Sequence, residues 1–288
     1  MILLIGVFEG LHLGHRKLVS YALKKRKGRE KIVVLSFYPH PRKPSPYLYP
    51  WEERVNLLRK WGVDEVLRFD LVRHFTWRAG AFLDFIENEF HPRILCVGED
   101  FRFGRGREAG AAFIKFWGAR KNIRISVLPV EKRNGEKIST ALLKRYLSSG
   151  RMSLYLNRSG MGYIVRGKRV KGRGLGKKSL VPTVNLRVPG EKFLPRGVFL
   201  AKSVSDDGVN RWGVANIGYA PTLKNLRNKI VEFHLLSGDL PFRREVEIEL
   251  VSFLRRERKF RDISALKRAI GEDILTARRL IRNKGLLP

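Results

Sequence analysis

Apolar and polar positions follow two different rhythms along this chain. In the first half, short apolar runs at residues 2–7, 32–37, 63–69, 94–97 and 123–130 are rich in Ile, Val and Leu. Between them, apolar residues recur every three or four positions, as in Leu18 and Ala22, or Val55, Leu58 and Trp61, or Phe82, Phe85, Ile86 and Phe90. The first pattern predicts buried strands and the second amphipathic helices. Strands alternating with helices predict a parallel, Rossmann-like α/β sheet covered on both faces. Ligands bind such sheets beyond the C-terminal ends of the strands.

After Gly150 the alternation stops, and Asn157-Arg158-Ser159-Gly160 reads as a boundary loop. This predicts one domain at 1–152 and a second at 157–288. The second is mostly strands, at 163–170, 197–204, 212–217, 230–236 and 245–253. Val246, Ile248 and Leu250 alternate with Glu245, Glu247 and Glu249, as in half-buried antiparallel strands. A final helix carries Ile263, Leu266, Ile270, Ile274, Ala277 and Ile281 on one stripe, with Asp262 or Ser264 placed to cap it. Several short strands and one helix predict a mainly-β barrel with a terminal helix outside it.

Composition narrows the class. A length of 288 residues with 43% hydrophobic and 10% aromatic content suits two globular domains. The single cysteine, Cys96, excludes an intrachain disulfide and a multi-Cys zinc site. No apolar run is long enough to span a bilayer, and the N-terminal run lacks a basic leader and a cleavage site. The expectation is a cytoplasmic protein without membrane contact, monomeric by default. The charge is unusual: 59 Lys+Arg against 27 Asp+Glu leave a net +32. Such a balance favours polyanions through counterion release. The basic residues are spread along the chain, so nucleic acid is permitted by charge but not indicated by any motif.

Candidate chemistry gathers at the predicted strand ends. Gly10 and Gly14 let the chain turn tightly after the first strand, with His12 and His15 at the start of the next helix. Helix N-termini bind anions, and imidazoles donate hydrogen bonds to phosphate. Two prolines hold His40 outward after the second strand. After the fourth come Asp100, Phe101, Arg102 and Phe103, which suit a planar ring carrying a phosphate. Ser139 and Thr140 precede a helix on which Lys144 is placed to meet a triphosphate. Beyond the boundary, Gly172, Gly174 and Gly176 sit in a basic loop suited to phosphates. Thr183 and Asn185 share one face of an extended segment and could ligate Mg²⁺ or a metal-bound phosphate. Glu232 is a carboxylate inside an apolar strand. Taken alone, each loop after the first turn reads better as a turn, a cap or a core aromatic, and Glu232 as a surface pair; their joint occurrence at successive strand ends changes that.

Their order resembles the bacterial bifunctional riboflavin kinase/FAD synthetase family. Gly6-Val7-Phe8-Glu9-Gly10-Leu11-His12-Leu13-Gly14-His15 is similar to the nucleotidylyltransferase signature, with Glu9 where the family has Asp. Pro39-His40-Pro41, Gly98 to Gly104 and Ile138-Ser139-Thr140 match its later motifs, with Ala141, Leu143 and Lys144 departing from the last. The riboflavin kinase motifs match at Pro182-Thr183-Val184-Asn185, Gly213 to Gly218, Glu232 to Leu236 and Phe253 to Phe260. Leu180, Ala220 and Ser237 depart there.

The resemblance implies two ATP-dependent steps, riboflavin to FMN and FMN to FAD, with Mg²⁺. It assigns Glu232 as general base and Thr183 and Asn185 to the metal. Gly6, Phe8, Gly10, Gly14, Ser139, Thr140 and Lys144 would serve ATP, with His12 and His15 catalytic. His40, Asp100, Phe101, Arg102, Phe103, Asn216, Arg255 and Glu257 would serve flavin. Two other readings are a single-function enzyme with one half decayed, and a basic nucleic-acid-binding protein on an inactive synthase fold.

Overall fold

Five parallel strands organise the first part of the chain: β1 (Ile2–Gly6), β2 (Ile32–Phe37), β3 (Glu65–Phe69), β4 (Ile94–Gly98) and β5 (Arg124–Leu128). They lie in the order β3-β2-β1-β4-β5. The computed structural model describes residues 1–39, 46–170, 183–204, 209–218, 228–237 and 244–283. Central strands β1, β2 and β4 read as continuous apolar runs because both of their faces are covered. The helices between the strands are α1 (Leu13–Lys25), α2 (Trp51–Lys60), α3 (Ala79–Phe90) and α4 (Ala111–Arg120). On one face Leu3, Val33, Leu35 and Leu95 pack with Phe82, Leu83 and Ile86 of α3. Cys96 is buried in β4, and burial pushes its thiol up to about 12, so it is inert. The strand order reverses between β1 and β4, which opens a crevice beyond Gly6 and Gly98.

The opposite end of the central strands is tied by one carboxylate. Glu30 accepts from Arg93 Nε at 2.8 Å and Nη2 at 2.5 Å, and the chain's amino terminus lies 3.5 Å away. Arg93 also donates to the carbonyl of Lys25 at 3.0 Å. The starts of β1 and β4 and the end of α1 therefore share one ionic knot.

A short hairpin, β6 (Lys132–Arg133) with β7 (Glu136–Lys137), leads to α5 (Thr140–Ser148) and α6 (Met152–Ser159). Residues 157–159, expected as loop, are the last turn of α6. Gly160 is its left-handed cap at φ 75°. The polar residues there are buried: Arg158 lies under the ring of Tyr146, 5.0 Å away, and Ser159 is inaccessible. By compactness the chain divides into Met1–Thr140 and Ala141–Pro288. Gly150 explains why the helices join the second unit: a Cβ there would sit 2.7 Å from the ring of Phe253.

That second unit is a closed barrel of β8 (Tyr163–Val170), β9 (Thr183–Pro189), β10 (Gly197–Val204), β11 (Asn210–Ile217), β12 (Asn228–Leu235) and β13 (Glu245–Arg255). The order around it is β10-β11-β12-β9-β8-β13, each neighbouring pair antiparallel. Outside it lies α7 (Ile263–Asn283), whose Ala277 and Ile281 pack on Val198, Leu200 and Val214. Asp262 caps α7, accepting from the Ala265 amide at 2.7 Å. Among the described residues, no helix is long and apolar enough to cross a membrane.

The Glu30 knot sets an acid limit. Arg93 holds the Glu30 carboxyl at about 2, below its ordinary 4.5. A depressed carboxylate adds stability that is complete above 4.5 and is lost as pH falls towards 2. Glu30→Gln should lower the melting temperature by a constant amount above pH 4.5, and the gap should close below it. Calorimetry across pH 2–6 checks this.

Candidate functional site

The turn beyond β1 is built on side chains forced into a glycine-like backbone. Phe8 and Leu11 take φ 51° and 41°, and both are fully buried. Each costs roughly 1 kcal/mol relative to an ordinary conformation. Gly10 and Gly14, expected to supply the tight turn, have ordinary φ and instead allow close approach. A Cβ on Gly10 would lie 2.8 Å from Thr140 Oγ1, and one on Gly14 3.1 Å from His12 Nδ1. The turn delivers His12 and His15 stacked at 3.9 Å, with the Phe8 ring 4.9 Å from His15.

Behind the turn stands Arg54 of α2, with no exposed surface. Its guanidinium donates to the Val7 carbonyl at 2.9 Å, Ser36 Oγ at 3.0 Å and the Tyr49 carbonyl at 3.3 Å. The Tyr38 ring covers it at 5.0 Å. Ser36 donates to the same Val7 carbonyl at 2.9 Å. Glu9 is almost wholly buried, and its Oε1 accepts from the Leu48 amide at 3.4 Å. Two buried charges thus brace the strained turn against the segment entering α2.

In front of it opens a cavity of about 870 Å³. It brings together Gly6, Phe8, His12, Gly14, His15, Asp100, Phe101, Arg102, Phe103, Ser139 and Thr140. Phe101 and Phe103 stack at 5.4 Å, and Arg102 Nη1 donates to the Phe101 carbonyl at 3.1 Å. A Cβ on Gly110 would strike that guanidinium at 2.2 Å, so glycine makes its room. Burial raises Asp100, but the Lys137 ammonium at 2.5 Å and nearby His12 outweigh it and hold the carboxyl below its usual range. Lys144 does not line the cavity; its ammonium lies 6.0 Å over the ring of Phe193.

Sequence reasoning missed one wall. Phe69, His74, Phe75 and Trp77 line the cavity, with the His74 and Trp77 rings 4.2 Å apart. It also missed Arg105, Arg107 and Lys137, which lie on a short 3₁₀ turn and on the hairpin. The signal for the wall was the polar-aromatic run His74-Phe75-Thr76-Trp77 just after a strand end.

In the barrel, strand register builds a second site. Asn216 on β11 pairs with Glu232 on β12, and Glu232 pairs with Asn185 on β9. One row across three strands therefore carries an amide, an exposed carboxylate and a second amide, with Asn216 Nδ2 3.5 Å from Glu232 Oε2. Two residues along, Thr183 pairs with His234, and their Oγ1 and Nδ1 atoms are 2.8 Å apart. His234 is buried, and desolvation pushes its imidazole below the usual value despite Glu232 and Asp273. The glycines of Gly213 to Gly218 are spatial requirements. A Cβ on Gly213 would meet the Phe233 ring at 2.4 Å, and one on Gly218 would meet the Glu257 carboxylate. Arg255 sends its fork to Asp273 of α7 at 2.7 and 2.8 Å. His40, Leu180, Ala220 and the glycines at 172, 174 and 176 lie outside the described residues.

A histidine-bearing turn at a parallel-sheet switch point and a separate carboxylate row on a six-stranded barrel have the chemistry of a transferase of phosphorus-containing groups, and comparison with known proteins shows that class. Residues 1–142 match the FAD synthetase family model and residues 159–281 the riboflavin kinase model. The bifunctional riboflavin kinase/FMN adenylyltransferase of Escherichia coli K12 is 30% identical, over 96% of this chain and 91% of its own. That of Haemophilus influenzae is 28% identical, over 96% and 92%. The chain belongs to the bifunctional riboflavin kinase/FMN adenylyltransferase family. A Streptococcus pneumoniae crystal structure described as a macrolide-efflux protein shares the whole fold, with a TM-score of 0.83 over 96% of this chain and 93% of that one. At 21% identity it speaks for the fold alone.

Arg54→Lys keeps the buried charge but removes the fork that grips Val7, Ser36 and Tyr49. FAD formation from FMN should fall about tenfold or more, while FMN formation from riboflavin stays unchanged. Separate assays of each step by chromatography check it.

Proposed function

We propose that the two activities are carried by the two sites just described, FMN adenylylation at the histidine turn and riboflavin phosphorylation at the barrel row. The stacked His12–His15 pair at the mouth of an aromatic cavity carries the reading. In the first unit, an FMN phosphate oxygen attacks the α-phosphorus of ATP, the bond to the β-phosphate breaks, and pyrophosphate leaves. His12 and His15 donate hydrogen bonds to the phosphates where charge builds, and the α1 N-terminus adds its dipole. Ser139 and Thr140 sit across the turn and hold the nucleotide end. Phe101, Phe103 and Arg102, with the newly found wall of His74 and Trp77, suit the flavin ring and its phosphate. Catalysis there is positional and electrostatic.

In the barrel, Glu232 takes the proton of the ribityl 5′-hydroxyl as that oxygen attacks the γ-phosphorus of ATP, and ADP leaves. Asn216 holds the Glu232 carboxylate. No group of three or more His, Cys, Asp or Glu that could hold a metal occurs among the described residues. The oxygen donors Thr183 and Asn185 fit Mg²⁺, which keeps few protein ligands and completes its shell with phosphate and water. When bound it would neutralise charge on the ATP phosphates. His234 fixes the Thr183 hydroxyl for that role. Flavin and ATP as substrates accord with a cytoplasmic, monomeric enzyme.

His15→Ala should abolish FAD formation and leave FMN formation intact. Glu232→Gln should do the reverse, converting added FMN to FAD at the wild-type rate while losing about a hundredfold or more from riboflavin phosphorylation. Incubation with riboflavin, ATP and Mg²⁺ followed by chromatography reads both. Loss of both activities in either variant would refute two separate sites.

A further inference from the structure

Strand β5 is the outer edge of the sheet, and a groove of about 610 Å³ runs along it, meeting the histidine-turn cavity only at Leu128 and Pro129. The α1 residues Lys17 and Lys24 and the α4 residue Lys115 form its sides, with Arg124 on the strand itself. Four cations line it, and no carboxylate does. Lys17 is held by Glu131 at 3.0 Å, but Lys24, Lys115 and Arg124 make no ion pair among the described residues. The same α4 presents the Phe116 ring to solvent at 66% exposure, whereas Phe113 packs edge-on against Phe103 at 6.2 Å. Phe116 follows Lys115 on that helix, and Arg120, one turn further on, lies 5.8 Å from its ring.

A solvated basic face accounts for the lysines but leaves the exposed Phe116 ring unexplained. An apolar protein contact accounts for the ring but would gain nothing from three unpaired cations. One partner chemistry uses both: phosphates for the cations and flat bases for the ring. We propose that the β5–α4 face binds single-stranded nucleic acid, with Lys24, Lys115, Arg120 and Arg124 along the backbone and Phe116 as a stacking platform. The net charge of +32 then adds long-range attraction, while this face supplies the docking geometry. The inference is independent of the catalytic assignments, because none of these residues lines either site.

Fluorescence anisotropy with a labelled unstructured oligouridine, its DNA counterpart and a duplex of equal length tests it. Both single strands should bind more tightly than the duplex, and the difference between them tells RNA from DNA. The log of the association constant should fall with log salt at a slope near −3, about −0.7 per phosphate contact. A Lys24→Ala, Lys115→Ala, Arg124→Ala triple variant should reduce that slope by about 2. Phe116→Ala should weaken binding about tenfold with the slope unchanged. Riboflavin and FMN turnover should be unaltered in every variant, which shows the folds intact. An unchanged slope in the triple variant, or a duplex bound as tightly as the single strands, would mean charge acting without a site and would overturn the proposal. So would light scattering in which Phe116→Ala dissolves a dimer while oligonucleotide affinity stays the same, since α4 would then be a contact between copies.

Discussion

The adenylyl-transfer half depends on a buried guanidinium. Removing Arg54 from water is costly, and only well-placed acceptors offset the loss. Three acceptors come from the residue after β1, from β2 and from the segment before α2, and the Tyr38 ring lies over the guanidinium. That arrangement cannot shift without leaving a buried charge under-bonded, so the Val7 carbonyl is fixed. Fixing Val7 fixes the peptide into Phe8, whose left-handed backbone would otherwise relax. The Phe8 ring lies against His15, and His15 stacks on His12. The imidazoles are thus placed by a chain of contacts that begins two elements away.

The barrel positions its site by a different device. Antiparallel register sets the three side chains of the Asn216–Glu232–Asn185 row beside one another. Register is enforced because slipping β12 by one residue would carry Val231, Phe233 and Leu235 out of the core. Glycine at 213 is part of the same constraint, since any side chain there would displace the Phe233 ring and the His234 carbonyl. A hydrophobic alternation thereby aligns the polar groups of the row at no separate cost.

These two devices differ in how far the sequence discloses them. Barrel strands were legible because alternation is a local signal, and the parallel strands because burial on both faces makes them continuously apolar. The end of α6 was not, because Asn157-Arg158-Ser159 has loop composition and becomes helical only by burying Arg158 beneath Tyr146. Arg54 was equally hidden: among 59 basic residues, a buried arginine on a charged helix has the same sequence signature as a solvated one. The motif histidines could be read from spacing, whereas the residues bracing them come from α2 and β2 and meet only in space. The glycines illustrate the same limit. Their presence in the turn was readable, but their task is to admit Thr140 and His12, while Phe8 and Leu11 take the strained conformations.

The same geometry explains why Glu9 can stand where the family has an aspartate. A longer side chain beside a tight turn would be expected to intrude on the space the nucleotide needs. Instead the Glu9 carboxylate is almost wholly buried and reaches the Leu48 amide, next to the Tyr49 carbonyl that Arg54 holds. The extra methylene thus serves to reach the Leu48 amide. The two buried charges grip adjacent residues of one segment, so each limits the movement of the other. A substitution that looks like a defect in the phosphate-binding turn is, in this fold, part of what holds it still.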